Sequence, residues 1–205
     1  VPVAVHLDHG TTIECIGQAL RLGFTSVMFD GSHLSVEENI EKTKEVVALA
    51  KGYGAAVEAE IGCVGGSEDG SVDIAMRCTS PEQAKIFAER TGVDALAIAI
   101  GNAHGFYRDA PCLRFDILKK VEAVTKVPLV LHGGSGLSDD DFKNSIKCGI
   151  AKVKIYTDLC LAGIRAMNEG LAEGISYLDI RNKKVEYIKE EVKKKMLLFG
   201  SNGRV

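Results

Sequence analysis

Residues 95–105 read ALAIAIGNAHG, in which six consecutive apolar residues are followed by a glycine, a polar turn and His104. A short continuous apolar run is typical of a strand buried on both faces of a parallel sheet. Two further stretches have the same design: VPVAVHLDHG at 1–10 contains His9, and LVLHGG at 129–134 contains His132. Three histidines at three strand ends suggest a shared metal ion, because catalytic zinc commonly has three protein ligands and one open position.

Helix signals alternate with the strand-like runs along the whole chain. Ser35, Ser80 and Ser138 each begin a capping pattern, and glycines stand at 23, 54, 92 and 149 where helices would end. Residues 179–199 resemble a charged amphipathic helix. The predicted strands are 3–7, 26–30, 56–61, 95–100, 129–131 and 152–156. This alternation predicts an α/β fold with a parallel sheet and right-handed crossovers.

Polar candidate residues follow nearly every predicted strand. That distribution favours a (β/α)8 TIM barrel, whose active site lies at the carboxyl ends of its strands, over a doubly wound sheet with a single switch point. Only about six βα units can be counted, against eight in a complete barrel. We therefore expect residues 1–205 to form one partial barrel domain that lacks the first two units.

The bulk composition excludes some classes of partner. The formal net charge of −3 gives no global basic field for nucleic acid or an anionic membrane surface. No apolar stretch is long enough to span a bilayer, and the start of the chain lacks the basic region of a signal peptide. The six cysteines form no CxxC pair, so we expect reduced thiols in a cytoplasmic protein.

Five motifs occur in order along the chain: VAVHLDHG (3–10), EAEIGCVGGSEDG (58–70), IGNAHG (100–105), LVLHGGSG (129–136) and GSNGRV (200–205). Together they closely resemble the class II, zinc-dependent fructose-bisphosphate and tagatose-bisphosphate aldolases. The resemblance implies reversible cleavage of a ketose 1,6-bisphosphate to dihydroxyacetone phosphate and glyceraldehyde 3-phosphate. It also implies a homodimer or homotetramer, a Zn²⁺ cofactor and, in addition, a monovalent cation.

The metal ligands that we expect are His9, His104 and His132, and the resemblance assigns the same three positions. Glu60 ends a predicted strand, where it could bind the metal in an alternative position, support a ligand, or be a charged strand-end residue. Imidazole suits zinc, cobalt and iron, so the identity of the metal stays open.

Two acidic residues are candidates for proton transfer. Asp8 precedes His9, and the resemblance gives it the role of taking the proton from the substrate hydroxyl; its alternative is to cap the helix after Gly10. Glu68 lies in a glycine-rich loop that could close over the substrate. The family has a matching glutamate that moves the proton at the carbon beside the carbonyl, and the alternative is a solvated acidic loop.

The phosphate site is predicted at a glycine-rich turn and at the end of the last strand. By resemblance, four residues would hold the phosphate of the dihydroxyacetone phosphate half: Gly105, Gly133, Ser135 and Thr157. Asp158 follows Thr157. Arg108 matches a family lysine near the same phosphate. Arg181 matches an arginine that some members place against the second phosphate across a dimer interface, and its alternative is a surface charge.

Lys154 departs from the family pattern, because it stands where the family has an asparagine that contacts the reacting intermediate. Lysine could neutralise developing negative charge, bind a different substrate group, or impair catalysis. Two rival functions therefore remain beside the aldolase: a non-catalytic phosphosugar-binding barrel and a metal-dependent phosphosugar hydrolase. The sequence does not distinguish fructose from tagatose bisphosphate.

Overall fold

The computed structural model describes residues 2–66, 76–105, 107 and 111–204. Within these residues the strands are β1 (His6–Gly10), β2 (Ser26–Phe29), β3 (Ala56–Ile61), β4 (Gly65–Gly66), β5 (Ala95–Ile98), β6 (Ala103–His104), β7 (Leu129–Leu131) and β8 (Ile150–Val153). Six of them form a parallel sheet in the order β1-β2-β3-β5-β7-β8, and β4 pairs with β6 in a separate two-stranded sheet. The predicted α/β class with a parallel sheet is confirmed.

Helices follow most of the strands. In the described part of the chain they are α1 (Ile13–Arg21), α2 (Val36–Lys51), α3 (Pro81–Thr91), α4 (Phe115–Val124), α5 (Asp139–Lys147), α6 (Thr157–Glu173) and α7 (Tyr177–Leu198). The predicted caps are confirmed, since Ser35 and Ser138 form capping boxes at α2 and α5 and Ser80 caps α3 ahead of Pro81. Among the described residues, no helix combines the length and the apolar character that a membrane span requires.

The bounds of four predicted strands differ from the structure: β2 and β5 end one and two residues earlier than predicted, and β1 and β8 are shifted along the chain. β1 lies at His6–Gly10 instead of 3–7, because its pairing with β2 begins where His6 stands opposite Ser26. Val3 is apolar but 85% exposed. The last strand is β8 at Ile150–Val153 instead of 152–156, and the chain leaves it early enough for α6 to begin at Thr157.

The main hydrophobic core lies between the sheet and the helices that cover it. Its largest fully buried side chains include Phe29, Phe87, Phe142 and Leu96. The predicted tail helix is α7, which packs mainly on α6 and buries none of its residues fully. The helix-covered core thus occupies one face of the sheet and leaves the other face available for polar groups.

The sheet is curled. Lys154, directly after β8, contacts Asp8 in β1, yet β1 and β8 are the opposite edges of the six-stranded order. In a flat sheet, five strand spacings of about 4.8 Å would separate these edges by about 24 Å. Curling therefore brings side chains from both edges to a common interior.

Candidate metal centre and active site

Side chains of one sheet face supply most of the site. Successive residues of a strand point to opposite faces, so Glu58 and Glu60 in β3 share a face. The register places Met28 of β2 beside Glu58, and Val130 of β7 beside Lys152 of β8. This interior face carries two buried glutamates, whereas the opposite face of the same strand carries Val57 and Ala59 in the hydrophobic core.

Asp8 and His9 are sequence neighbours, yet both reach the interior. The pairing of β1 with β2 shifts register between Leu7 and Gly10, and His9 has a φ of 46°, in the left-handed region that side chains rarely adopt. His9 Nε2 lies 3.7 Å from Asp8 Oδ1 as a result. Local backbone strain at His9 is thus the means by which one strand contributes two adjacent side chains to the site.

Asp30 orients the His9 ring. His9 Nδ1 lies 2.6 Å from Asp30 Oδ2, and Asp30 Oδ1 accepts a hydrogen bond from the Ser32 backbone N–H at 3.1 Å. Burial opposes ionisation of Asp30, but the hydrogen bonds from His9 and Ser32 outweigh it and hold the pKa of Asp30 far below its usual range. His9 therefore donates through Nδ1 and leaves the Nε2 lone pair for a metal.

Glu58 orients the ring of His132 in the same manner. The side chain of His132 is fully buried, and its Nε2 donates to Glu58 Oε1 at 2.8 Å. Burial lowers the pKa of His132 to about 4, so the ring is neutral. Its Nδ1 lies 3.0 Å from His9 Nε2, which places two ring nitrogens side by side.

His104 completes a cluster of three imidazoles. It lies in β6, and its ring centroid is 4.9 Å from that of His9 and 5.6 Å from that of His132. One nitrogen from each of the three rings lies within 4.8 Å of the others. Three convergent imidazoles, two of them oriented by the carboxylates of Asp30 and Glu58, fit the donor set of a catalytic zinc site.

Glu60 offers a second arrangement of donors beside the first. It forms a group with His9 and Asp30 whose ligand atoms also lie within 4.8 Å of one another. Its Oε1 accepts from the Val64 backbone N–H at 3.1 Å, whereas Oε2 is buried and has no hydrogen-bond partner among the described residues. Burial, together with the charge of Asp30, raises the pKa of Glu60 to about 8. An unpartnered buried oxygen next to His9 is suited to a metal ion in an alternative position.

Asp8 lies at the more open side of this cluster. Its side chain is 47% exposed, and Lys154 contacts it directly. Burial would raise the pKa of Asp8, but the charge of Lys154 and the hydrogen bond from it prevail and lower that pKa. Asp8 is therefore an ionised carboxylate near the histidine cluster, as a proton acceptor must be.

A second part of the site surrounds the glycine-rich turn after β7. Gly133 has a φ of 62°, and a Cβ there would lie 2.1 Å from the Ala103 carbonyl oxygen, so the turn packs tightly against the loop that carries His104. The Asp158 backbone N–H donates to Ser135 Oγ at 3.0 Å, which joins the turn to the first residues of α6. The N-cap residue of α6 makes no side-chain capping hydrogen bond, and a helix N-terminus beside a glycine turn is suited to an anion.

The remaining predicted site residues differ in their placement. Gly105 directly follows His104 and has a φ of 73°, and Thr157 is the first residue of α6. The Asp158 carboxylate pairs with Lys195 at 2.7 Å, so it is engaged by α7. Arg181 is exposed on α7, where its guanidinium Nη2 lies 3.5 Å from Asn182 Oδ1. Glu68 and Arg108 lie outside the described residues.

Several residues that shape the site were not predicted from the sequence. Asp30 and Glu58 orient two histidines, Asn102 donates to the His132 carbonyl at 3.0 Å, and the Tyr107 hydroxyl donates to the Gly133 carbonyl at 2.9 Å. A charged residue within a buried strand was the available signal for Glu58. Asp30 likewise ends a predicted strand, as the histidines do.

Comparison with known proteins places the chain in a family. The family model described as class-II fructose-bisphosphate aldolase matches residues 1–204. This chain belongs to that family. The assignment and its relatives support aldol cleavage of a ketose bisphosphate, a lyase reaction.

Three relatives show how close the similarity is. The chain is 42% identical over 207 residues to a probable fructose-bisphosphate aldolase from Bacillus subtilis, covering all of this chain and 73% of that protein. The crystal structure of the YdjI aldolase from Escherichia coli matches with a TM-score of 0.88 at 42% identity, covering all of this chain and 71% of that one. A putative fructose-1,6-bisphosphate aldolase from Coccidioides immitis matches with a TM-score of 0.93 at 34% identity, covering all of this chain and 73% of that one.

Proposed function

We propose that this chain catalyses the reversible, metal-dependent cleavage of fructose or tagatose 1,6-bisphosphate to dihydroxyacetone phosphate and glyceraldehyde 3-phosphate. The observation that carries the proposal is the cluster of His9, His104 and His132, whose ligand nitrogens lie within 4.8 Å of one another. Bound there, a divalent metal would supply Lewis-acid polarisation of the substrate carbonyl. Glu60 is the candidate ligand for an alternative metal position.

Asp8 is the proposed base for the carbon–carbon cleavage. Its ionised carboxylate takes the proton of the C4 hydroxyl, the C4–O bond becomes the aldehyde carbonyl, and the electron pair of the C3–C4 bond passes to the three-carbon fragment. Glu68, protonated from solvent, then delivers a proton to C3 of that fragment, which yields dihydroxyacetone phosphate, and Asp8 releases its proton to solvent. The role of Glu68 rests on its motif, and that of Asp8 on its motif and on its position beside His9.

The anion site at the start of α6 is the proposed seat of the phosphate on the dihydroxyacetone half. Gly133 and Ser135 present the turn, Thr157 begins the helix, and Gly105 follows His104 close by. Arg108 would add positive charge, as the resemblance implies. Asp158 instead anchors the helix, because Lys195 holds its carboxylate. Arg181 keeps its proposed role at the second phosphate.

The setting of this activity is also a proposal. We infer that the curled six-stranded sheet belongs to a (β/α)8 barrel and that residues 1–205 lie in a single domain of it. The donor set suits Zn²⁺ as the metal, with a monovalent cation as a further cofactor and a homodimer or homotetramer as the assembly. A cytoplasmic location agrees with six cysteines that are all free thiols.

The test is product formation before and after metal removal. Purified chain supplied with zinc should form triose phosphates from at least one of the two bisphosphates. A chelator that lowers the metal content to zero should abolish this activity, and added zinc should restore it. Unchanged cleavage in metal-free protein would refute the proposal.

Two further readouts separate the rival functions. A non-catalytic phosphosugar-binding barrel would retain the bisphosphate without exchanging a carbon-bound proton of dihydroxyacetone phosphate with solvent. A hydrolase would release inorganic phosphate from the bisphosphate without forming triose phosphates. The aldolase proposal expects proton exchange and no phosphate release.

A further inference from the structure

We propose that Lys154 is a positioning residue, which holds the Asp8 carboxylate at the metal cluster and does not itself contact the sugar. This role rests on the proposed function. It differs from the direct substrate contact that the sequence suggested for Lys154. The difference arises from what surrounds the ammonium group in the folded chain.

The hydrogen-bonding capacity of Lys154 is already used by the protein. An ammonium has three N–H donors and no acceptor. Among the described residues it meets three strong acceptors: Asp8 Oδ1, Glu58 Oε1 at 2.9 Å and His6 Nε2 at 3.2 Å. The Met28 thioether lies 3.4 Å away as a further neighbour. A sugar oxygen could bind Lys154 only by displacing one of these partners.

His6 is prepared to be one of the acceptors. Its Nδ1 lies 2.7 Å from Ser26 Oγ, so a proton on Nδ1 leaves the lone pair of Nε2 directed at Lys154. Burial and the charge of Lys154 lower the pKa of His6 to about 4, which keeps the ring neutral near pH 7. The lysine thus meets two carboxylates and a lone pair, which together offer an acceptor for each of its N–H groups.

The groups that Lys154 joins come from separated parts of the sheet. Asp8 lies in β1, Glu58 in β3, and Lys154 directly follows β8 at the opposite edge. Lys154 also has only 14% of its side chain exposed, whereas Asp8 is 47% exposed. The less exposed cation therefore fixes a more exposed carboxylate, and it fixes it against the same Glu58 that orients His132.

Lys152 provides a matched control on the same strand. Its ammonium donates to Glu58 Oε2 at 2.7 Å, whereas Lys154 is the lysine that contacts Asp8. Replacing either lysine by methionine removes one positive charge next to Glu58. Only the replacement of Lys154 also releases Asp8, so a comparison of the two isolates the contact that matters.

The experiment is a double-mutant cycle on the bisphosphate that the wild-type chain cleaves. Lys154→Met should lower kcat for cleavage by about 10²-fold with little change in KM, because a catalytic group displaced by about 1 Å loses about that factor. In an Asp8→Ala background, Lys154→Met should lower kcat little further, since the carboxylate that Lys154 positions is gone. Lys152→Met should change kcat by one factor that is equal in the wild-type and the Asp8→Ala backgrounds.

A second readout excludes a general structural defect. Asp8 acts on the C4 hydroxyl, which dihydroxyacetone phosphate lacks, so Lys154→Met should keep the wild-type rate of proton exchange in that compound. Bound zinc should stay at the wild-type stoichiometry. If Lys154→Met does not fold, Lys154→Gln enters the same cycle, since it also removes the charge.

Several results would overturn this role. They are an unchanged kcat, a higher KM at unchanged kcat, an equal loss of cleavage and proton exchange, or an undiminished effect of Lys154→Met in the Asp8→Ala background. Any of these in an active wild-type enzyme refutes the positioning role alone. A wild-type chain that cleaves neither bisphosphate refutes the proposed function and this role with it.

Discussion

Glu60 should make the metal-free protein less stable as the pH rises. The carboxyl group is 2% exposed, its Oε2 has no hydrogen-bond partner among the described residues, and burial raises its pKa from 4.5 to about 8. Between these two values the folded protein keeps a proton that the unfolded chain releases. The contribution of Glu60 to the free energy of unfolding is therefore fully present below pH 4.5 and is lost as the pH rises towards 8.

The size of the effect follows from the shift. One unit of pKa corresponds to about 1.4 kcal/mol, so a rise from 4.5 to about 8 removes on the order of 5 kcal/mol of unfolding free energy by pH 8. That is a large share of the roughly 5–15 kcal/mol by which domains are stable. Glu60→Gln removes the titration and keeps an acceptor for the Val64 N–H.

Urea unfolding of chelator-treated wild type and Glu60→Gln, at pH 5, 6, 7 and 8, measures this directly. The stability of wild type relative to the variant should fall steadily across the series. Glu58→Gln is the matched control on the same strand: burial opposes ionisation of Glu58, but His132 and the neighbouring lysines lower its pKa, so its contribution is lost at acid pH instead. A difference between wild type and Glu60→Gln that stays constant from pH 5 to 8 would refute the reasoning.

Three further changes test other parts of the structure. Asp30→Ala leaves His9 Nδ1 without its acceptor and should weaken zinc binding by about 10–100-fold in competition with a chromophoric chelator; unchanged affinity would contradict the orienting role. Gly133→Ala should destabilise the protein by more than about 1 kcal/mol, since φ is 62° and the new Cβ meets a carbonyl oxygen; an unaltered urea midpoint would argue against it. Ser138→Ala removes the cap of α5 and should lower the free energy of unfolding in urea by about 1 kcal/mol. Cleavage activity should stay intact. A loss of activity at full stability would contradict a purely structural cap.

Local signals in the sequence predicted the helices well. Capping serines mark the starts of α2, α3 and α5, because a hydroxyl that accepts from the third following N–H is encoded within four residues. Gly92 and Gly149 have positive φ values where helices end, as their sequence positions indicate. Apolar runs likewise predicted β3 and β7 with the observed bounds. These features depend on neighbours in the chain.

Features that depend on distant pairing were not predictable in this way. The predicted bounds of β1 were wrong, because the apolar stretch at 3–7 has the pattern of a strand. The actual pairing depends on where β2 offers its backbone groups. The reach of Lys154 to Asp8 spans 146 positions of sequence and exists because the sheet curls. Sequence alone predicted that three histidines would follow strands, but not that Asp30 and Glu58 would set which nitrogen of each ring is available.

The proposed chemistry requires the three imidazoles to hold one ion. Crystals of the chain loaded with zinc, measured at the zinc absorption edge, would place the metal without reference to activity. We expect one anomalous peak per chain, about 2.0–2.1 Å from His9 Nε2, His132 Nδ1 and one nitrogen of His104. A peak bound elsewhere, or coordination through His9 Nδ1 in place of Nε2, would contradict the proposed centre.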